Sequence, residues 1–309
     1  MVVASAPPEP APTRPLGPAD YLPLAKPGIT ALICLVAVAG FLLANPRSVD
    51  LVRLGILVAT GASASAGSAM LNHYLDRDID RRMKRTRGRP LADERIISGA
   101  AVAVVGLVLL GSGIGVATVL LNPLTGFSIF LGGFTYVVIY TLWLKRRSNW
   151  NIVIGGFAGS APALAGSAAA VGGWTPGVLA FAVLVFLWTP PHFWSLALLL
   201  KDDFARANLP MLPRTEDVPY SGKVVVVSAA LLIPAALLIG WSGAVTWPVI
   251  VVLAALGALF VAMTAPLWNS VTPRNARRGF IFSGPYLLLV VLAIAANLAF
   301  VRIGLPGGF

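Results

Sequence analysis

The chain has 309 residues, of which 57% are hydrophobic and only 11% charged, far below the roughly one-quarter charged residues of a soluble domain. Two histidines and one cysteine exclude a Cys/His zinc site and an intramolecular disulfide. Several apolar runs exceed the ~18 residues that mark a membrane helix, so the chain reads as an all-α, polytopic membrane protein.

In chain order, residues 1–20 are rich in Pro and Ala and lack an apolar core. They read as a disordered cytoplasmic tail, without the basic-then-apolar order of a cleaved signal peptide. Residues 21–309 read as one transmembrane domain. Nine apolar spans are expected at about 27–45, 51–73, 96–121, 123–144, 151–172, 176–200, 221–241, 246–267 and 280–303. Pro and Gly signals such as Asn122-Pro123 and Trp174-Thr175-Pro176 separate close neighbours. Cys34, inside the first span, reads as a small core hydrophobe. Spans 2, 3 and 5 are rich in Gly, Ala and Ser. Such residues let helix backbones approach closely in lipid, or leave room for a bulky apolar ligand.

The net charge of +11 invites a nucleic-acid reading, but its placement argues for topology. With the N-terminus inside, every Lys and Arg except Arg47, Arg53 and Arg302 falls on the cytoplasmic side, as the positive-inside rule requires. Of the acids only Asp50 falls outside, and none lies mid-span. A proton-coupled transporter usually carries ionisable groups within its helices, so their absence counts against that class. It also places any chemistry at the cytoplasmic mouth of the bundle.

The richest stretch is N-H-Y-L-D-R-D-I-D-R-R-M-K-R-T-R-G-R-P-L, Asn72–Leu91, at the end of the second span. If the helix continues, Asn72, Asp76 and Asp80 stand at i, i+4 and i+8 on one face, and Asp78 points about 200° away from Asp76. Two carboxylates and a carboxamide suit Mg²⁺, which keeps several waters and completes its shell with substrate phosphate oxygens. The following Lys84, Arg85 and Arg89 can neutralise the remaining phosphate charge, although topology explains the basic residues alone equally well. A second acidic cluster, Lys201-Asp202-Asp203, emerges on the same side after span 6, beyond Pro190-Pro191, which are expected to kink or interrupt that helix.

These residues carry a family resemblance. N-x-x-x-D-x-x-x-D after the second of nine spans, with an acidic cluster after the sixth, resembles the UbiA superfamily of intramembrane prenyltransferases. L-A-K-P-G-I-T at Leu24–Thr30, M-K-R-T-R-G-R-P-L at Met83–Leu91, W-T-P-P-H-F-W at Trp188–Trp194 and K-D-D-F-A-R-A-N-L-P-M-L-P at Lys201–Pro213 are similar to its haem-farnesylating branch. The resemblance implies nine helices around a central cavity under a cap of cytoplasmic loops. It implies Mg²⁺-diphosphate at Asn72, Asp76 and Asp80, with Asp203 as a further metal ligand on the opposite wall. Many members carry a second D-x-x-x-D, but Leu199 stands four residues before Asp203. The second site here is D-D preceded by Lys201, which becomes a candidate phosphate contact. Lys26 joins Lys84, Arg85 and Arg89 as a diphosphate candidate.

The implied reaction transfers the farnesyl group of farnesyl diphosphate to a vinyl group of haem B, with addition of water, to give haem O. Haem B is then a substrate, not a prosthetic group. Its product would pass to a further haem-modifying enzyme or to oxidase assembly factors. Tyr74, Tyr136, Tyr140, Phe193 and Trp194 are candidates to line an apolar cavity for a farnesyl cation. His192 and His73, with Trp194, are the haem-contact candidates, imidazole being a common axial ligand. Propionates held by Arg or Lys would serve without one. Two other readings stay open: a prenyltransferase with a quinone-precursor aromatic acceptor, and a membrane transporter.

Overall fold

The structure, a computed structural model, describes residues 17–44, 48–96, 98–212 and 217–302. The expected tail up to residue 16, with Glu9 and Arg14, lies outside the described residues, as do Arg47, Arg214, Glu216 and the side chain of Arg302. Residues 18–20, placed in that tail by the sequence, belong to a helical turn, α1 (Pro18–Tyr21), in which Asp20 is buried.

The described chain is helical, without strands. After α1 and a 3-10 turn at Leu22–Ala25 come α2 (Pro27–Leu43), α3 (Leu51–Leu75) and the short α4 (Arg77–Arg82). Then follow α5 (Gly99–Leu120), α6 (Pro123–Phe134) with a π-helix at Thr135–Leu144, α7 (Asn151–Gly155), α8 (Phe157–Val171) and α9 (Pro176–Leu199). The short α10 (Lys201–Arg206), α11 (Val218–Ala230), α12 (Leu232–Trp241), α13 (Trp247–Thr264) and α14 (Pro273–Arg302) complete it. Among the described residues eight spans are long and apolar enough to cross a bilayer. The pair Ala19–Ala25 and Pro27–Leu43, bent by 44°, makes a ninth.

The breaks between spans have local causes. Asn122 accepts the N–H of Thr125 at 2.8 Å and Pro123 takes the first helical position, where its missing N–H is no loss. Thr175-Pro176 opens α9 in the same way, and Asp50 caps α3 through the N–H groups of Val52 and Arg53. Within α9, Pro190 and Pro191 do not interrupt the helix, which runs unbroken to Leu199.

Apolar side chains cover the outside: Trp241, Val119 and Leu51 are among the most exposed residues, as expected of a lipid-facing belt. The interior is apolar too, with small residues where helices approach most closely. In α2 and α8, a Cβ on Gly40 would stand 2.2 Å from the Ala163 carbonyl oxygen, and one on Gly166 would stand 2.1 Å from that of Ala37. Of the two sequence explanations for the small residues, close backbone packing is the one that operates here.

A separate core at the end of the bundle that carries the acidic motifs joins the two. Ile79 and Met83 from the first motif pack with Trp194, Phe204, Leu209 and Met211, all buried. The N-L-P-M-L segment therefore acts as the apolar underside of a cap that locks the end of α9 and α10 onto α4. Gly166→Val should overpack the α2–α8 contact and cost roughly 1–3 kcal/mol or more. It should lower the heating midpoint for loss of monodisperse protein in detergent. Gly111→Ala, facing open space in α5, should leave that midpoint unchanged or raise it slightly.

Candidate active site

The site grows from the end of α3. The helix gives way to α4 at Asp76, whose φ of −96° and ψ of 2° mark a slight break. The i to i−4 bonds nevertheless continue across it, Asp76 N to Asn72 O at 2.9 Å and Asp80 N to Asp76 O at 2.8 Å. Asn72, Asp76 and Asp80 consequently share a buried face, each no more than 3% exposed. Asp78 is exposed and held bidentate by Arg146 at 2.7 and 2.8 Å. That guanidinium keeps its carboxyl below the usual carboxylate range.

Buried carboxylates need partners, because an uncompensated charge in a low-dielectric interior costs several kcal/mol. Here the partners come from three separate segments. Arg89 donates to Asp80 at 2.7 Å, from the folded turn that follows α4. Lys145, one residue past the π-helix, pairs with Asp76. Lys26 donates to the Asn72 side-chain oxygen at 2.6 Å and to the Tyr136 hydroxyl at 2.9 Å. The Asn72 amide in turn donates to Asp76 at 2.7 Å and to Thr141 at 3.1 Å. Lys26 adopts a left-handed backbone, φ 45° and ψ 61°, between the 3-10 turn and Pro27. A β-carbon residue in that region is strained and needs its surroundings to hold it.

The π-helix supplies the opposite wall. Its i to i−5 pattern shows in Lys145 N to Tyr140 O at 2.8 Å. Tyr136 and Tyr140 stack at 6.0 Å with planes 9° apart, and Lys26 and Lys145 stand over their rings at 5.6 and 5.9 Å. Such insertions are frequent at functional sites.

Asp203 is buried on α10, but both its oxygens are turned to the basic turn. They accept the backbone N–H groups of Lys84 and Arg85, each at 3.1 Å, and Arg206 pairs with the same carboxylate. Burial pulls this carboxyl upward, and the two N–H groups with Arg206 outweigh it and hold it below the usual range. Among the described residues no three acidic, His or Cys side chains converge on one point. Asp203 thus braces the turn that carries Lys84 and Arg85, whose side chains stay exposed. Lys201 and Asp202 are exposed as well, and no contact of Lys201 brings it to Asp76 or Asp80.

The remaining candidates separate. Tyr136 and Tyr140 lie at the site; Phe193 and Trp194 belong to the cap core; Tyr74 lies under Arg77. His73 is buried beside the Pro23 carbonyl, with neither ring nitrogen in a hydrogen bond of ordinary geometry. His192 stacks on Trp188 at 4.6 Å, and its Nδ1 is 2.5 Å from the Ser283 hydroxyl. Because that hydroxyl donates to the Phe280 carbonyl, Nδ1 must be the donor and Nε2 keeps its lone pair.

Sequence reasoning took Lys145 only as a topology charge and did not name Thr141. The signal for both was present: Tyr136, Tyr140, Thr141 and Lys145 are polar groups at the end of an otherwise apolar span.

Residues 33–290 match the UbiA prenyltransferase family. The chain belongs to this family. Three relatives within it illustrate the similarity. Protoheme IX farnesyltransferase of Sulfurisphaera tokodaii is 39% identical over 280 residues, 89% of this chain and 91% of that protein. The Metallosphaera sedula protein of the same name is 40% identical, over 89% and 94%. Protoheme IX farnesyltransferase 1 of Paramagnetospirillum magneticum is 40% identical, over 90% and 98%. Among solved structures, a digeranylgeranylglyceryl phosphate synthase superposes with a TM-score of 0.74 at 15% identity, covering 91% of this chain and 98% of that one. A UbiA homologue from Archaeoglobus fulgidus bound to GPP and Mg²⁺ gives 0.66 at 16%, covering 89% and 99%. At such identities the likeness is one of fold.

The donor set of this UbiA family member suits a divalent metal. Asp76 Oδ1 is buried and has no hydrogen-bond partner, so a fully buried carboxylate keeps a free oxygen on the shared face. Asp76→Ala and Asp80→Ala should each lower prenyl transfer by roughly 10²-fold or more, with the protein still inserted, whereas Asp78→Ala should stay within about tenfold. Equal loss at all three would contradict the buried-face geometry. Asp203→Ala should raise KM for the prenyl diphosphate and leave the half-saturating Mg²⁺ concentration unchanged. A shifted Mg²⁺ requirement would make Asp203 a metal ligand instead of a brace.

Proposed function

We propose that the chain transfers the farnesyl group of farnesyl diphosphate to a vinyl group of haem B, with addition of water, giving haem O and free diphosphate. The observation that carries this reading is that relatives bearing the name protoheme IX farnesyltransferase match 89–90% of it at 39–40% identity. The site's chemistry agrees. Asn72, Asp76 and Asp80 are the residues that would hold Mg²⁺, which supplies Lewis-acid and electrostatic stabilisation of the departing diphosphate when bound.

The chain's own groups do the rest. Lys145 and Arg89 already pair with the carboxylates, and Lys26 with the Asn72 carboxamide beside them. They are placed to neutralise the two phosphates, with Lys84 and Arg85 approaching from the braced turn. The bond between C1 of farnesyl and the diphosphate oxygen breaks, and its electron pair leaves with the diphosphate. The stacked Tyr136 and Tyr140 rings suit the positive charge that remains, since aromatic faces attract cations. The vinyl π-electrons form the new carbon–carbon bond to C1. Water adds to the porphyrin-side cation and loses a proton, leaving a hydroxyethylfarnesyl substituent.

Orientation follows from charge. Asp20, Asp76, Asp80 and Asp203 are the buried acids of the described chain, and all belong to the end that holds its basic loops. The positive-inside rule puts that end, and the N-terminus, in the cytoplasm. No buried acid stands within a span to serve a proton path, so a transporter has no support here.

The test is turnover by purified protein in detergent, given haem B, farnesyl diphosphate and Mg²⁺, with porphyrin products read by mass. A farnesyl-plus-water adduct that disappears with EDTA is expected. Diphosphate release without a haem adduct would keep the prenyltransferase and replace its acceptor.

A further inference from the structure

We propose that an open groove at the start of α14 seats the two carboxylates of the porphyrin acceptor, held by Arg274, Arg277 and Arg278. The inference rests on the haem reading above and names where that substrate docks.

The groove, of about 630 Å³, is bounded by the end of α9 at Leu199, by Met263 on α13 and by the first turns of α14. On α14 the lining starts at Pro273 and recurs at 274, 277, 278, 281, 282 and 285, the i, i+3, i+4 spacing of a single helical face. That face changes character along its length. Its first turn is three guanidiniums, and the next two turns are Ile281, Phe282 and Pro285. An amphiphile lying on it would meet charge at one edge and an apolar floor beyond, in the direction of the bilayer.

The three arginines are exposed, and among the described residues none makes a hydrogen bond or ion pair. This contrasts with Lys26, Lys145, Arg89 and Arg206, whose charges are each engaged at the diphosphate face or its brace. Topology explains three cytoplasmic charges. It does not explain their position on the rim of one concavity, or why all three are arginine. A guanidinium presents a planar fork that matches carboxylate oxygens two at a time, which an ammonium does not. A dicarboxylic porphyrin, wide and flat with both acids on one edge, presents more anionic oxygens to such a rim than a phospholipid with one phosphate.

The location fits the chemistry. The diphosphate face is built from α3, the π-helix and Lys26, whereas the groove is built from α9, α13 and α14. The adjoining face of α14 carries Phe280 and Ser283, the two residues that hold His192. Donor and acceptor would then be recognised on different helices, each by cations suited to its own anion.

The experiment is equilibrium binding to the full chain in phosphatidylcholine nanodiscs. The probes are haem B, fluorescent metal-free protoporphyrin IX, and the dimethyl esters of both. The wild type should bind each diacid roughly tenfold or more tightly than its ester, the effect of losing charge-assisted hydrogen bonds. The triple variant R274Q/R277Q/R278Q should lose that difference, binding diacid as weakly as ester, and should bind farnesyl diphosphate like the wild type, showing that it is folded. Because neutralising three charges can disturb insertion, R274K/R277K/R278K keeps the charge and removes the forks. It should weaken diacid binding several-fold. Unchanged diacid affinity in both variants would overturn the proposal. So would loss of phosphatidylglycerol binding with porphyrin binding intact, which would make the groove a lipid site. A wild type that binds no porphyrin at all would instead overturn the haem reading itself.

Discussion

Everything at the site end of this protein depends on two carboxylates, Asp76 and Asp80, being buried at a helix end next to the membrane. Water cannot solvate them there, so the chain must bring charge and hydrogen bonds to them. Lys145 comes from the end of the π-helix, Arg89 from the turn after α4, and Asn72 from one helical turn back, itself held by Lys26 and Thr141. Three stretches far apart in sequence, at Lys26, at Asn72–Arg89 and at Thr141–Lys145, are thereby tied to one point. Removing the carboxylates would leave the same cations without counter-charge, so the site and the local fold are one construction.

The second motif serves the first. Asp203 uses both oxygens on the backbone of Lys84 and Arg85, and the Phe204, Leu209 and Met211 side chains pack under Met83 and Ile79. Leu199, four residues before Asp203, packs against the apolar core of the cap and also bounds the groove beside α14. The cap is positioned by hydrophobic burial, and Asp203 fixes the conformation of the basic turn within it.

Much of this was legible in the sequence, where the physics is local. The apolar spans, the Asn-Pro and Thr-Pro helix starts and the shared face of Asn72, Asp76 and Asp80 follow from hydropathy, capping and a 3.6-residue period. The sideways Asp78 follows from the same period, and its pairing with Arg146 bears that out. Legibility ended where pairing between distant segments decided the outcome. Nothing local shows that Lys145 turns inward while Arg146 turns out, because a π-helix shifts the register by one residue and hydropathy does not record it. The left-handed Lys26 and the backbone partners of Asp203 were equally silent, both being set by the tertiary contact. The Pro190-Pro191 pair suggested a broken helix, yet α9 continues through it, as packed membrane helices permit.

Under the proposed function the cations of the site, already paired with the carboxylates, would meet a diphosphate once Mg²⁺ took over those carboxylates, so Mg²⁺ and the prenyl diphosphate should bind with mutual support. Lys145 and Arg89 are paired in the structure with Asp76 and Asp80, and under the proposed function a bound cation would free them to meet the phosphates. The most direct measurement is calorimetric titration of a non-reactive farnesyl thiolodiphosphate into the wild type, with Mg²⁺ present and after its removal. Binding at least roughly tenfold tighter with Mg²⁺, with the reciprocal effect of the diphosphate on Mg²⁺ affinity, is the result this account predicts. Equal affinity under both conditions would contradict it.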